Sequence, residues 1–301
     1  MARPNFIVAG AARSGTTALA YALGEHPDVF VTEPKEMHFL AYANESPRFT
    51  GPGDEETMVR SLVTSPADYE ALFDGSEHVR ARGEGSVSSL YRPEKTLDSM
   101  HEYADPNVRV VAMLREPAQR AHSSYLYLRS RGFEDFVNFE EALGAEEMRK
   151  ELGYHHMWHL RGMSRYGSQL PQFADALGDR LLVLIQEEYV ADQIGSLARV
   201  CEFLDVDPAF PFEVGQSVNR GGEPKSALVQ SISGALRSNQ TTQTLVKTVV
   251  PRRVRERIRV ANLSRPEASI EIMKQLRVEF EPDRSCVEEL LGRRIAAWDT
   301  K

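Results

Sequence analysis

The chain has 301 residues, 42% hydrophobic and 27% charged, with a formal net charge of −8. This size and mix suit a globular protein with one large α/β domain or two small ones. The acidic balance excludes non-specific nucleic-acid binding, so an anionic ligand needs a local positive pocket. The first apolar run, Phe6-Ile7-Val8-Ala9, reads as a buried strand. A loop with two glycines and small hydroxyl residues follows, and Ala18, Leu19, Ala22 and Leu23 then recur at helical spacing. Strand, glycine loop and helix together make a phosphate cradle, because glycine admits an anion close to the backbone and N–H groups at the helix start point at it. Gly10, Gly15 and Thr17 keep P-loop spacing, but Thr16 stands where the triphosphate-gripping lysine belongs. Such a loop suits a single 5′-phosphate better than a triphosphate. Arg13 supplies a charge, though earlier in the loop; a plain turn between strand and helix is the alternative.

His26-Pro27 stops the first helix, and Val29-Phe30-Val31 is a short strand. Residues 32–40, Thr-Glu-Pro-Lys-Glu-Met-His-Phe-Leu, leave its C-terminal end, where open α/β sheets gather ligands. Residues 41–66 are polar and read as a mobile surface excursion facing substrate. Ser65 caps a short helix through Phe73, and residues 83–91 read as a small-residue strand and turn. The strongest strand is 108–114, with Arg115-Glu116-Pro117 opening a helix through Arg120, Ser123, Tyr127 and Arg131. Residues 132–165 read as helical. A helix from Tyr166 to near Gly178, a strand 181–185 and a helix with Ile194, Leu197, Val200, Cys201 and Leu204 on one face follow. A Gly-rich basic loop at 219–226 precedes a helical remainder closing on Leu290, Leu291 and Trp298. The alternation predicts one α/β domain over 1–301: a P-loop-like, three-layer fold with a central parallel sheet flanked by helices. Residues 41–66 and roughly 227–270 are expected to face substrate.

Arg115 at a strand end and Ser123 in the next helix offer a forked donor and a hydroxyl to a second anion; pairing of Arg115 with Glu116 is the competing reading. Two anion sites on adjacent strands suggest a ligand with two separated phosphates.

The loop 10–17 (Gly-Ala-Ala-Arg-Ser-Gly-Thr-Thr) resembles the 5′-phosphosulfate loop of the sulfotransferase family, and residues 114–125 resemble its 3′-phosphate motif. His26-Pro27-Asp28, Lys35-Glu36-Met37-His38-Phe39 and Phe280-Glu281-Pro282-Asp283 are similar to the branch holding heparan-sulfate and many bacterial sulfotransferases. The ordered set runs over about residues 6–298. The resemblance implies 3′-phosphoadenosine 5′-phosphosulfate (PAPS) as donor, adenosine 3′,5′-bisphosphate (PAP) as product, and no metal. It implies that Arg13, Ser14, Gly15, Thr16 and Thr17 hold the 5′-phosphosulfate, that Arg115 and Ser123 hold the 3′-phosphate, and that Arg220, Gly221, Gly222, Lys225 and Ser226 cap the adenine and 3′-phosphate, a plain surface turn being the alternative for this last group. Tyr166 is a candidate stacking residue, or else core.

Arg13 replaces the family's lysine; it keeps the charge but does not readily give up a proton, so its expected role is electrostatic. Glu36 matches the family's catalytic base, with its pKa expected to rise by partial burial. His38 is the rival base or a structural hydrogen bonder, and Glu33 and Glu84 are further carboxylates. Gly85 stands where related enzymes carry a lysine, which weakens a heparan-sulfate assignment. The basic run Arg252, Arg253, Arg255, Arg257 and Arg259 suits a solvated face or an anionic surface.

The expectation is sulfuryl transfer to a hydroxyl of a small-molecule, carbohydrate or lipid acceptor, with no nucleic-acid partner. The rivals are a nucleotide kinase with a degenerate P-loop and a non-catalytic nucleotide-binding homologue. Cys201 and Cys286 lack metal-ligand spacing and suit a reducing compartment; a first strand by Phe6 and no apolar run near ~18 residues add the expectation of a cytoplasmic protein without a signal peptide or membrane span.

Overall fold

The computed structural model describes residues 2–213, 223–224, 263–264 and 268–299. Its centre is β1 (Phe6–Gly10), all five residues of which are buried. Side chains alternate across a strand, so β1 feeds two cores. Phe6 and Val8 pack with Leu19, Leu23, Val111, Met113, Leu197 and Val200. Ile7 and Ala9 pack on the opposite face with Val110, Ala112, Tyr103, Leu170 and Phe173. A strand buried on both faces reads as a continuous apolar run, as this one does.

The chain continues through α1 (Thr16–Leu23), β2 (Val29–Val31) and α2 (Phe39–Tyr42), then a π-helical turn at Glu55–Val59 and α3 (Pro66–Ala71). β3 (Ala81–Gly85), α4 (Ser88–Tyr91), α5 (Pro93–Tyr103), β4 (Arg109–Leu114) and α6 (Pro117–Arg131) follow. α7 (Phe139–Gly144), α8 (Glu146–Glu151), α9 (Tyr166–Leu177), β5 (Leu181–Ile185), α10 (Gln186–Ala191) and α11 (Gln193–Phe203) complete the sheet and its flanks. Glu223–Pro224 and Leu263–Ser264 pair antiparallel as β6 and β7, and α12 (Ile270–Glu279) and α13 (Glu281–Leu291) close the fold.

The main sheet runs β2-β3-β1-β4-β5, and all its pairs are parallel. Helices cover both faces, so the expected three-layer fold with a central parallel sheet is present. The order reverses at β1: the chain first steps to the β3 side, then crosses to β4. A crevice opens beyond the strand ends at such a reversal.

Two local expectations change. Residues 132–165 are not continuously helical: α7 ends at Gly144, α8 ends at Glu151, and Tyr154 onward is loop with two 3-10 turns. In α11, Leu197, Val200 and Cys201 are buried but Ile194 is exposed, because the helix starts at Gln193 and its first turn overhangs the core. The stretch 41–66 is anchored: Asp54, fully buried, accepts from Gly51 N (2.8 Å), His155 N (3.1 Å) and Trp158 Nε1 (2.9 Å). Among the described residues no helix is long and apolar enough to cross a membrane.

Candidate functional site

The loop after β1 is pinned to β4 by Ala11 N donating to Met113 O at 2.8 Å, and it tightens where Ser14 N donates to Ala11 O. Gly15 caps α1 at φ 95°, a left-handed angle that disfavours any side chain. A Cβ there would also sit 3.1 Å from Met113 Sδ. Ser14 and Thr16 are buried, while Gly15 and Thr17 are half-buried at the α1 start. The α1 N-terminus carries N–H groups without helical acceptors, the arrangement that receives a phosphate.

Arg13 also takes a left-handed angle, φ 67°, and its guanidinium lies 4.7 Å from the Tyr127 ring centroid. Tyr127 is one helical turn beyond Ser123, so Arg13 and Ser123 share one side of α6. Arg115, at the end of β4, is half-buried, and its carbonyl accepts from Tyr166 OH at 3.0 Å. His122 lies beside it: burial and the nearby Arg115 charge lower this imidazole to about 4. Glu116 spends its carboxylate on the α6 start, accepting from Ala118 N (3.1 Å) and Gln119 N (2.8 Å). Arg13 therefore lies on the side of α6 that carries Ser123, and Arg115 stands at the end of β4 just before that helix. Tyr166 is fully buried, with its ring in the core, so it fixes the Arg115 backbone rather than offering a stacking face.

On the other side of β1, Glu36 follows β2. Its backbone is left-handed (φ 66°) and its N–H donates to Gly85 O at 3.0 Å. One carboxylate oxygen accepts from Val87 N at 2.9 Å, and the other is paired with the Lys35 ammonium. Val87 packs against Ala12 of the phosphate loop, so the carboxylate lies one residue away from that loop. Burial pushes the Glu36 carboxyl up, but Lys35, His38 and the Val87 N–H together outweigh it and hold it below the usual range. The expected rise by burial is thus reversed by the lysine next door.

His38 is 4% exposed, its backbone N–H donates to Ser86 Oγ (3.0 Å), and its Nδ1 shares a hydrogen bond with Ser88 Oγ (2.8 Å). Burial lowers it to about 4, so it is neutral near pH 7. Glu84 is fully buried, accepts from Ser86 Oγ at 2.6 Å, and is raised by burial to about 7. Its side chain is enclosed, whereas that of Glu36 is 30% exposed and the only one of the two open to an incoming hydroxyl.

Several neighbours of Glu36 and His38 carry no assigned part in the sequence reading. Lys35 adjoins Glu36 and was legible as a charged neighbour, but the main-chain donor of Val87 leaves no trace in residue type. His155, His156 and His159 were visible as three imidazoles in five residues. In the fold they meet Tyr42 (3.2 Å, to His156) and Tyr91 (2.7 Å, to His159), and His156 packs on His38 at 5.7 Å. Arg220, Gly221, Gly222, Lys225 and Ser226, and the run Arg252 to Arg259, lie outside the described residues. Among the described residues no three His, Cys, Asp or Glu side chains converge as metal ligands.

This geometry can be set beside known proteins. A sulfotransferase from Alicyclobacillus acidocaldarius has a similar solved structure, with a TM-score of 0.75, 29% identity and 99% of each chain covered. Human carbohydrate sulfotransferase 15 is 22% identical over 259 residues, covering 68% of this chain and 44% of that protein, so the chain spans less than half of that relative's length. The family model described as "Sulfotransferase family" matches residues 4–210, and with the phosphate loop and Glu36 within that span, the chain belongs to the sulfotransferase family.

Proposed function

We propose that the protein moves a sulfuryl group from PAPS to a hydroxyl, with Glu36 as base. The observation that carries this reading is the Val87 bridge. Its N–H holds Glu36 while its side chain packs on Ala12 of the anion loop, which sets a carboxylate beside a phosphate cradle. The residues fit a donor bearing two anionic ends: Arg13, Ser14, Gly15, Thr16 and Thr17 at the 5′ end, Arg115 and Ser123 at the 3′ end. Arg220, Gly221 and Lys225 belong to the same proposal as the nucleotide cap. Attack by the acceptor oxygen forms the new O–S bond as the bond from sulfur to the phosphate oxygen breaks; Glu36 takes the hydroxyl proton and PAP leaves with the charge. Arg13 stabilises the charge that develops on the departing side.

The acceptor is proposed to be an uncharged hydroxylated molecule: a small molecule, sugar or lipid. Supporting this, Tyr42, His38 and His156 are buried, half-buried Tyr91 packs against His156, and both imidazoles stay neutral near pH 7. Residues 41–66 contribute Tyr42 to this cluster, and a substrate-facing role for the stretch is part of the same proposal. A cytoplasmic location is part of the same reading, supported by Cys201 and Cys286 being free thiols.

The test is transfer of labelled sulfate from PAPS across an acceptor panel, with PAP affinity measured alongside. Glu36→Gln should lower turnover by about 10²–10⁴-fold and leave PAP affinity within about twofold. Binding of ATP–Mg without PAP affinity would favour the kinase reading instead. PAP binding with no transfer to any acceptor would favour a non-catalytic homologue.

A further inference from the structure

Both oxygens of the candidate base are engaged. One accepts from Val87 N and the other pairs with Lys35. A carboxylate held this way is a poor proton acceptor, yet it has to receive a proton during transfer. The lysine is the contact able to leave. The Val87 N–H is fixed by backbone, whereas an ammonium ends a four-carbon stem with rotatable donors.

The stem also has a track. Lys35 runs across Gly85, where a Cβ would lie 3.0 Å from Lys35 Cε, 3.6 Å from Cγ and 3.7 Å from Nζ. The missing side chain at Gly85 is what allows the lysine to lie there, beside the segment that touches the phosphate loop through Val87 and Ala12. The Lys35 side chain is 15% exposed, so it lies largely sheltered from solvent along this track. The charged and titratable groups that face it are Glu36 and His38 from its own segment and Glu84 from β3. Glu84 is enclosed and bonded to Ser86, and His38 is neutral, which leaves Glu36 as the anion that Lys35 balances.

We propose that Lys35 is a catalytic residue that exchanges partners: it rests on Glu36 in the unliganded protein and moves onto the sulfuryl oxygens of the bound donor, freeing Glu36 to take the acceptor's proton. This rests on the donor assignment above. The bonds made and broken are those of the transfer already described. Lys35 neither gains nor loses a proton; it moves its charge from the base to the group in flight. The exchange explains how a base held below the usual carboxylate range becomes competent only once the donor is in place.

The test separates the sulfuryl group from the nucleotide. PAPS and PAP are titrated calorimetrically into wild type, Lys35→Met and Lys35→Arg. Methionine keeps an unbranched stem over Gly85, and PAP affinity reports that the fold and loop are intact. Lys35→Met should weaken PAPS by about tenfold or more, the size of one charge-assisted hydrogen bond, while PAP affinity changes less than about twofold. Lys35→Arg should recover most of the PAPS affinity. In carboxyl ¹³C NMR, the Glu36 titration should move to higher pH when PAPS replaces PAP in the wild type, and stay put in Lys35→Met. PAPS affinity unchanged in Lys35→Met, or PAPS and PAP weakened by the same factor, would overturn the exchange. Wild type that binds neither nucleotide would instead defeat the donor reading, and this inference with it.

Discussion

Glu36 and His38 share a backbone peculiarity: both have positive φ (66° and 59°), with Met37 fully buried between them. Left-handed non-glycine residues cost about 1–3 kcal/mol each and persist only where contacts hold them. Here the contacts are Glu36 N to Gly85 O and His38 N to Ser86 Oγ. The strain turns both side chains from the Met37 core toward the β3–α4 segment. Gly15 is the clearest place to test the cradle at the same scale. Gly15→Ala should cost about 1–3 kcal/mol for its φ of 95°, with added crowding at Met113 Sδ. The expected outcome is a lower Tm together with a weakened PAP affinity. The residue types of the cradle were legible in the sequence because phosphate loops use glycine and hydroxyls at fixed spacing. The ionisation of Glu36 was not, because it depends on which way Lys35 turns, and a linear order carries no such direction.

At the scale of elements, α6 is fastened to the turn before α9 by a fully buried arginine. Arg120 Nε donates to Ser164 Oγ (2.5 Å), Nη1 to Ser124 Oγ (2.9 Å), and Nη2 to the Leu160 carbonyl. Burial lowers it to about 10, still charged at neutral pH. Arg120→Lys cannot reproduce three donors in one plane, and should cost about 3 kcal/mol in chemical denaturation, the price of leaving buried acceptors unpaired. Since α6 also bears Ser123 and the Tyr127 ring beneath Arg13, PAP affinity should fall along with stability. The helix 117–131 was readable from Pro117 and the strand before it. The segment 132–165 was not: its charged residues suggested a long helix, but Arg149 and Glu134 form a buried pair at 2.8 Å, and Asp54 reaches across to hold His155 and Trp158. Long-range polar contacts, not local propensity, shape that stretch.

For the whole molecule, the buried imidazoles set an acid limit. His38 and His155 are lowered by burial to about 4 and about 3, and His156 well below its ordinary value. Their ordinary value is 6.5, so below it the unfolded chain binds protons that the folded one refuses. Stability from them is complete above that pH and is lost as pH falls toward their folded values. Glu84 acts oppositely: raised to about 7, it favours folding at low pH and loses that contribution as pH rises through 7. The imidazoles outnumber it, so a net loss of stability is expected as pH falls from 7 to 5. Thermal melts across that range check it. Glu84→Gln should raise Tm relative to wild type at pH 8 and not at pH 5. The parallel sheet itself was largely legible, since strands buried on both faces write their apolar runs into the sequence; the order β2-β3-β1-β4-β5 was not, because strand neighbours are chosen by crossovers.

That order has a practical consequence. Lys35 and Glu36 follow β2, and the segment that holds Glu36 follows β3, all to one side of β1. Arg115 and Ser123 follow β4, on the other side. In the proposed reading, the nucleotide and the incoming hydroxyl are therefore served by separate lengths of chain that flank the loop 10–17. A chimaera that takes residues 33–92 from the Alicyclobacillus protein, and leaves the Leu160 and Ser164 acceptors of Arg120 in place, should change which hydroxyl compounds are modified while PAP titrations stay the same.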